Sequence, residues 1–347
     1  MRRSIAQGLP LLTLLAGGCI ASSSPPARTP IGGTPSSPAV QTQTPATGHT
    51  TNYPATGGET PVRLASYQTP AAAPAAAKPS WLQLPSLKLA TDGPILNMLR
   101  PSNDLNWSPD QAVLPSAEFH GDQVAVHNIR NSTYRTIDDY TVRHYDKTFD
   151  LSRRTTVDFI VVPFADNPAI AHVMLSFGFE GKDYLVSSVE IRKRRGQSYN
   201  ALAGFFNQYQ LMYVLADEHD VLWKCSIGWL QEIYLYRTKA TPGQARDLFA
   251  DVMRRVNKLT REPEFYNTVT NNCTTNVRDH INRLLPDRVP YDYRVLLPGY
   301  SDELAYNLGL LDTSRSFEET KARARVNYRI YLYRDDPELS QKVRQGL

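Results

Sequence analysis

Cysteine is scarce in this chain: three residues in 347, at positions 19, 225 and 273. Each thiol can therefore be weighed on its own. The common metal and hydrolase signatures are missing as well. No CxxC, HExxH or EF-hand loop occurs, and no Walker loop, GxSxG elbow or helix-opening GxGxxG follows a strand. The expectation is therefore a protein with neither a metal site nor a cofactor. A glycosidase built on two carboxylates has no motif to exclude it and gains no support. Charge of one sign is also lacking: the net charge is +4, and Arg2 and Arg3 sit in a segment expected to be removed. That balance argues against general nucleic-acid binding. No apolar run reaches the roughly 20 residues needed to cross a bilayer. Internal repeats and a second linker are absent too, which favours one large domain.

The N-terminus supplies an address. Arg2-Arg3 precede a short apolar core, Leu9 to Leu15, and then Ala16-Gly17-Gly18-Cys19. A basic head, a short apolar region and small residues make a secretory signal. Cysteine directly after the small residues resembles a lipobox, with Ala16 where leucine is usual. Residues 1–18 are read as a lipoprotein-type signal peptide and Cys19 as the lipid anchor; an ordinary signal peptide cut nearby is the alternative. Residues 19–80 are Pro, Thr, Ser and Ala rich. They cannot bury enough surface to offset ordering entropy, so they read as a disordered tether. Residues 81–347 form the domain, with a core at about 95–300. The expected location is the bacterial cell envelope, anchored by lipid and facing the periplasm.

Periodicity gives an α+β pattern, an antiparallel sheet followed by helices. Strands are expected at 123–129, 139–149, 158–164, 169–177, 184–191, 209–216 and 227–237. Gly181-Lys182 should turn the fourth into the fifth as a hairpin. Residues 95–116 read as irregular. Thr241-Pro242 opens a helix whose Ala245, Leu248, Phe249, Val252, Val256 and Leu259 follow helical spacing up to Pro263. A further helix follows Cys273, and 304–311 reads as the last.

Cys273 lies in Thr270-Asn271-Asn272-Cys273-Thr274, at the start of that helix. Unpaired N–H groups and the positive end of the helix dipole favour the thiolate there. Cys225 reads as a small buried apolar residue on a strand or its edge. In an oxidising compartment the two could instead form a disulfide.

A thiol nucleophile needs a base within reach. His280 is two turns along from Cys273, about 10 Å by helix rise, and cannot reach it. His219 falls in what reads as an exposed turn, Ala216 to Asp220, and His49 in the tether. His120, His127 and His144 lie among polar residues and stay open. His172 stands out as an imidazole in an otherwise apolar strand, a position that a satisfied core histidine also fills. Glu190, on the strand expected to pair with it, would orient the imidazole and raise its basicity; a surface pair with Arg192 is the plain alternative. Asn272 and Asn276 are candidate oxyanion donors, with capping the favoured role. Arg192 opens a basic run to Arg195 that reads as a solvated loop or a contact for anionic head groups.

Three segments, Ile170 to Gly178, Ser188 to Arg192 and Phe265 to Thr274, together resemble the Lnb-type periplasmic domain family. Asn128 to Asn131 and Ser102 to Pro115 are similar to it as well, so the likeness covers about residues 95–300. The family is similar to circularly permuted papain-like (NlpC-like) folds, in which the histidine precedes the cysteine. The resemblance implies Cys273 as nucleophile, His172 as base and Glu190 as a third member. It implies a lipoprotein N-acyltransferase-like activity through a Cys thioester, with a phospholipid as acyl donor and a lipoprotein amine as acceptor. A thiol hydrolase acting as amidase, peptidase or lipid esterase, and a non-catalytic binding module of the envelope, are the alternatives.

Overall fold

The structure, a computed structural model, describes residues 100–197 and 209–347. The expected signal peptide, Cys19, the tether and residues 81–99 lie outside the described residues. Strands β1 (Ser116–His120), β2 (Gln123–Arg130), β5 (His144–Asp150), β6 (Thr155–Phe164), β7 (Asn167–Phe179), β8 (Asp183–Arg192), β9 (Gln210–Asp217) and β10 (Tyr234–Arg237) form one eight-stranded sheet. Its order is β1-β2-β9-β8-β7-β6-β10, with β5 also on β2. All pairings are antiparallel except the short parallel contact of β2 with β9. Strands β3 (Thr133–Tyr134) and β4 (Tyr140–Thr141) pair separately. This is a mixed α+β fold with a mostly antiparallel sheet.

The central strands bury both faces, so they read as continuous apolar runs rather than alternating ones. Val157, Phe159 and Val161 of β6, with Val173, Leu175 and Phe177 of β7, face one core. Ile160, Val162 and Met174 face the other. The β7–β8 turn of three residues, between the paired Phe179 and Asp183, places Glu180 at φ 53° and Gly181 at φ 69°, where glycine's freedom at positive φ is used.

Helix α2 (Pro242–Arg261) covers the first face. Its Thr241 cap and Gln244 form a capping box, and Phe249 meets Phe149, Phe177 and Phe179 ring to ring. Helix α3 (Cys273–Leu284) lies beside it. The second face is covered by α1 (Glu218–Trp223), the π-turn Lys224–Gly228 that continues it, and the C-terminal helices α7 (Asn327–Tyr333) and α8 (Leu339–Lys342). Short α4 (Tyr293–Leu296), α5 (Ser301–Asn307) and α6 (Phe317–Ala324) complete the helices of the described residues. Between α4 and α5, Gly299 sits so close to the backbone of Pro168 that a Cβ would lie 1.8 Å from its carbonyl oxygen. Only glycine lets this turn rest against the start of β7.

Four expectations need correction. The strand foreseen at 227–237 is reduced to Tyr234–Arg237, because α1 and its π-turn occupy 218–228. Cys225 therefore lies on a helical turn. Ala216 to Asp220 is not an exposed turn: Asp217 caps α1 by accepting from the His219 N–H at 2.8 Å, and Glu218 and Asp220 are fully buried. Strand β1 and the helices after residue 315 were not anticipated, and the 139–149 strand is split at Thr141 and His144.

Buried carboxylates survive only when paired. Arg130 forks onto Asp220 at 3.0 and 2.8 Å. Arg344, near the C-terminus, reaches Asp158 at 2.8 Å and Glu218 at 2.5 and 2.8 Å, and stacks on Tyr184 at 3.6 Å. Arg344→Ala is expected to cost about 3–5 kcal/mol in urea unfolding, because Glu218 is left buried without its partner.

Candidate active site

Asn272 begins α3. Its Oδ1 accepts from the Thr275 N–H at 2.8 Å, and its own N–H donates to Thr275 Oγ1 at 2.8 Å. This reciprocal cap fixes Cys273 as the first helical residue, 7 % exposed.

His172 lies on β7 with Met174 and Ser176, on the sheet face opposite the α2–α3 core. The alternation of β7 makes this so, because Ala171, Val173 and Leu175 all belong to that core. The β7–β8 ladder ends at Met174↔Ser188, although both strands run on, to Asn167 and to Arg192. Beyond that pair the helix terminus closes on the strands. There the Cys273 thiol lies near enough to His172 and to the Val173 N–H for both to draw it below an ordinary thiol, and its sulfur is 3.8 Å from Thr274 Oγ1. A residue from one face thus meets a residue from the other where the sheet has opened.

The other side of the imidazole is tied down. His172 Nε2 lies 2.6 Å from Ser188 Oγ, and Ser188 Oγ donates to Glu190 Oε1 at 2.6 Å. Nε2 is also 3.3 Å from Glu190 Oε1. Nε2 is therefore engaged on this side. The side chain of His172 is 18 % exposed and that of Glu190 33 %, so the site is sheltered yet open to solvent.

Three opposed influences set the protonation states. Burial pushes His172 down, but the Glu190 charge and hydrogen bonds with Cys273 and Glu190 outweigh it, raising the imidazole to about 10. Burial pushes Glu190 up, but His172, Ser188 and the Lys224 charge hold it well below the usual carboxylate range. Burial also pushes Cys273 up, yet His172, the Val173 N–H and Thr274 bring it below an ordinary thiol. Together they favour a thiolate beside an imidazolium.

Cys225 behaves in the opposite way. Burial is the first cause that pushes its thiol up, to about 12. Both cysteines are free, so no disulfide joins them. His280, out of reach of the thiol by helix rise, is buried between Tyr213 OH at 2.7 Å and Asp251 at 2.6 Å. His219 faces the Arg334 carbonyl at 2.5 Å, and His127 faces Asp146 at 2.8 Å.

Other predicted binding residues have internal duties. Asn276 donates to Asn271 Oδ1 and to the Asn272 carbonyl and accepts from Tyr213, so it braces the helix start. Arg192 does not face head groups and does not pair with Glu190. It is 2 % exposed, stacks on Trp107 at 4.2 Å, and donates to the carbonyls of Gln111 and Ala112 and to Asn103 Oδ1. Burial lowers it to about 10. Ser188 was missed by the sequence reading; its one signal was its place two residues before Glu190, on the same strand face. Among the described residues no group of three or more His, Cys, Asp or Glu could hold a metal ion. A small concavity bordered by Asp110, Arg130 and His144 does not include the thiol.

A thiol at a helix start, facing an imidazole held by a carboxylate, is the arrangement of the Cys/His class of sites. Residues 140–299 match the family described as the Lnb N-terminal periplasmic domain. The stretch that holds Cys273, His172, Ser188 and Glu190 is thus similar to a Lnb-type periplasmic domain, which is consistent with a periplasmic envelope protein. Strands β1 to β3 and helices α5 to α8 lie outside the matched stretch. No curated protein and no solved structure matches the chain. No helix among the described residues is long and apolar enough to cross a membrane.

Removing the carboxylate charge tests these electrostatics. In Glu190→Gln the main raising influence on His172 is gone while its burial stays. Histidine NMR should show that ring titrating about two pH units lower or more. An unchanged titration would mean that Glu190 does not set the imidazole.

Proposed function

We propose that this domain transfers an acyl group through a thioester on Cys273. The observation that carries the reading is the continuous Cys273–His172–Ser188–Glu190 arrangement at a capped helix start. The thiolate attacks an ester carbonyl; the S–C bond forms as the C–O bond breaks. His172 gives its proton to the leaving alkoxide. Neutral His172 then takes a proton from an incoming amine, whose nitrogen attacks the thioester and releases the thiolate. The cap uses the Thr275 N–H. The first-turn N–H groups of Cys273 and Thr274 are then the donors for the oxyanion.

The donor and acceptor that best suit this reading are a phospholipid ester and a lipoprotein amine at a bacterial membrane, with Cys19 as the chain's own lipid anchor. The order of His172 and Glu190 before Cys273 supports a permuted papain-like ancestry. With water as acceptor the same steps give a thiol hydrolase, a reading favoured by the partial exposure of His172 and Glu190.

The test is direct. The full chain is incubated with a phospholipid carrying an isotope-labelled acyl chain, quenched, and digested for mass spectrometry. A hydroxylamine-sensitive acyl adduct on Cys273 is expected, absent in Cys273→Ala and formed about 100-fold or more slowly in His172→Ala. Added amine should shorten its lifetime if the domain is a transferase, whereas loss at the same rate without amine identifies a hydrolase. A reactive Cys273 that takes no acyl group from any phospholipid offered would contradict the lipid reading.

A further inference from the structure

The second sheet face carries an apolar surface that the chemistry above does not use. On α7, Tyr328, Tyr331 and Leu332 are 76, 62 and 53 % exposed. Their i, i+3, i+4 spacing puts them on one stripe, while Ile330 and Tyr333 face the core. Next to this stripe, Trp229 is 49 % and Leu230 81 % exposed. Asn327 ties the two together, donating to the Gln231 carbonyl at 2.8 Å and to Ser226 Oγ at 2.9 Å. Leu230 also has φ 56°. A leucine held in the left-handed region, with its side chain in water, is costly on both counts.

The rim of this surface is basic. From Lys321 to Lys342 six basic residues stand against three acidic ones. Arg325 and Arg334 flank the stripe, 56 and 41 % exposed, each beside a surface carboxylate. Such exposed pairs are weak and exchange readily with phosphate. Arg334 lies over the Tyr331 ring at 4.8 Å, and Lys224 over Trp229 at 5.0 Å. Tryptophan, tyrosine, leucine and arginine on one face are the side chains that settle at a membrane–water boundary. The Lys224 that lies over Trp229 is also one of the charges that hold Glu190 low, which links this surface to the site electrostatically.

We propose that this face docks on a phospholipid bilayer, with Trp229, Leu230, Tyr331 and Leu332 entering the boundary between head groups and acyl chains and Arg325 and Arg334 at phosphate level. The inference rests on the acyl-transfer reading and deepens it, because it states how the domain reaches an acyl donor within a membrane. Helix α7 lies outside the family-matched stretch while Trp229 and Leu230 lie within it, so the device joins the C-terminal part to the matched domain.

The experiment uses the full chain with Cys19→Ala, which removes anchoring through that residue. Vesicles of phosphatidylcholine with phosphatidylglycerol are prepared with bromine on the acyl chains. Tryptophan emission should be quenched on binding, and Trp229→Phe should remove most of the quenching. Leu230→Asp combined with Tyr331→Asp should weaken vesicle partition at least tenfold while Cys273 keeps its labelling rate in solution. Quenching that survives Trp229→Phe, or partition that ignores the double substitution, overturns the proposal. So does an absence of binding, as expected if other residues of the chain or a second copy cover this face. Cys273→Ala should bind vesicles as well as the parent chain, so a failed docking surface and a failed nucleophile are told apart.

Discussion

A partly sheltered carboxylate and imidazole side by side stabilise each other's charged forms, and Glu190 with His172 is that pair. The rest of the site follows from it. The imidazolium is held by Ser188 and Glu190 on one side, so its other side favours an anion. The thiol of Cys273 is the group that meets it, at a helix start whose dipole acts in the same direction. The ladder between β7 and β8 stops at Met174↔Ser188, which opens a gap for the thiol. Had it continued two more pairs, His172 and Glu190 would be bridged and the helix terminus shut out.

Much of this arrangement was legible in the sequence. A turn at Gly181-Lys182 fixes hairpin register, and a period of two then brings His172 opposite Glu190. The Asn272-Cys273 step announces a capped helix start, as Thr241-Pro242 does for α2. What stayed hidden depends on partners far along the chain. Ala216 to Asp220 reads as a solvated turn because nothing nearby shows that Arg344 neutralises Glu218, or that Arg130 takes Asp220. Arg192 reads as the first residue of a basic surface run, yet the carbonyls of Gln111 and Ala112, some 80 positions away, draw it inside. Ser188 is a common residue in a common place, and only the 2.6 Å contacts on both sides make it a bridge.

The C-terminal part has two duties with different physics. Arg344 returns to the sheet, neutralises Glu218 and shares Asp158 with Arg237, both carboxylates being at 0 % exposure. A few residues earlier, α7 turns Ile330 inward and leaves its tyrosines outside. Packing explains the first and not the second, and an apolar stripe with a basic rim makes sense only against a further surface.

The most direct measurement of the central claim is the pH dependence of iodoacetamide labelling at Cys273, resolved by mass spectrometry, in the parent chain and in His172→Ala. The account predicts half-maximal labelling well below the 9.0 of an ordinary thiol, moving upward when the imidazole is removed, with Cys225 silent throughout. A Cys273 that does not label, or that titrates as an ordinary thiol whether or not His172 is present, would contradict it.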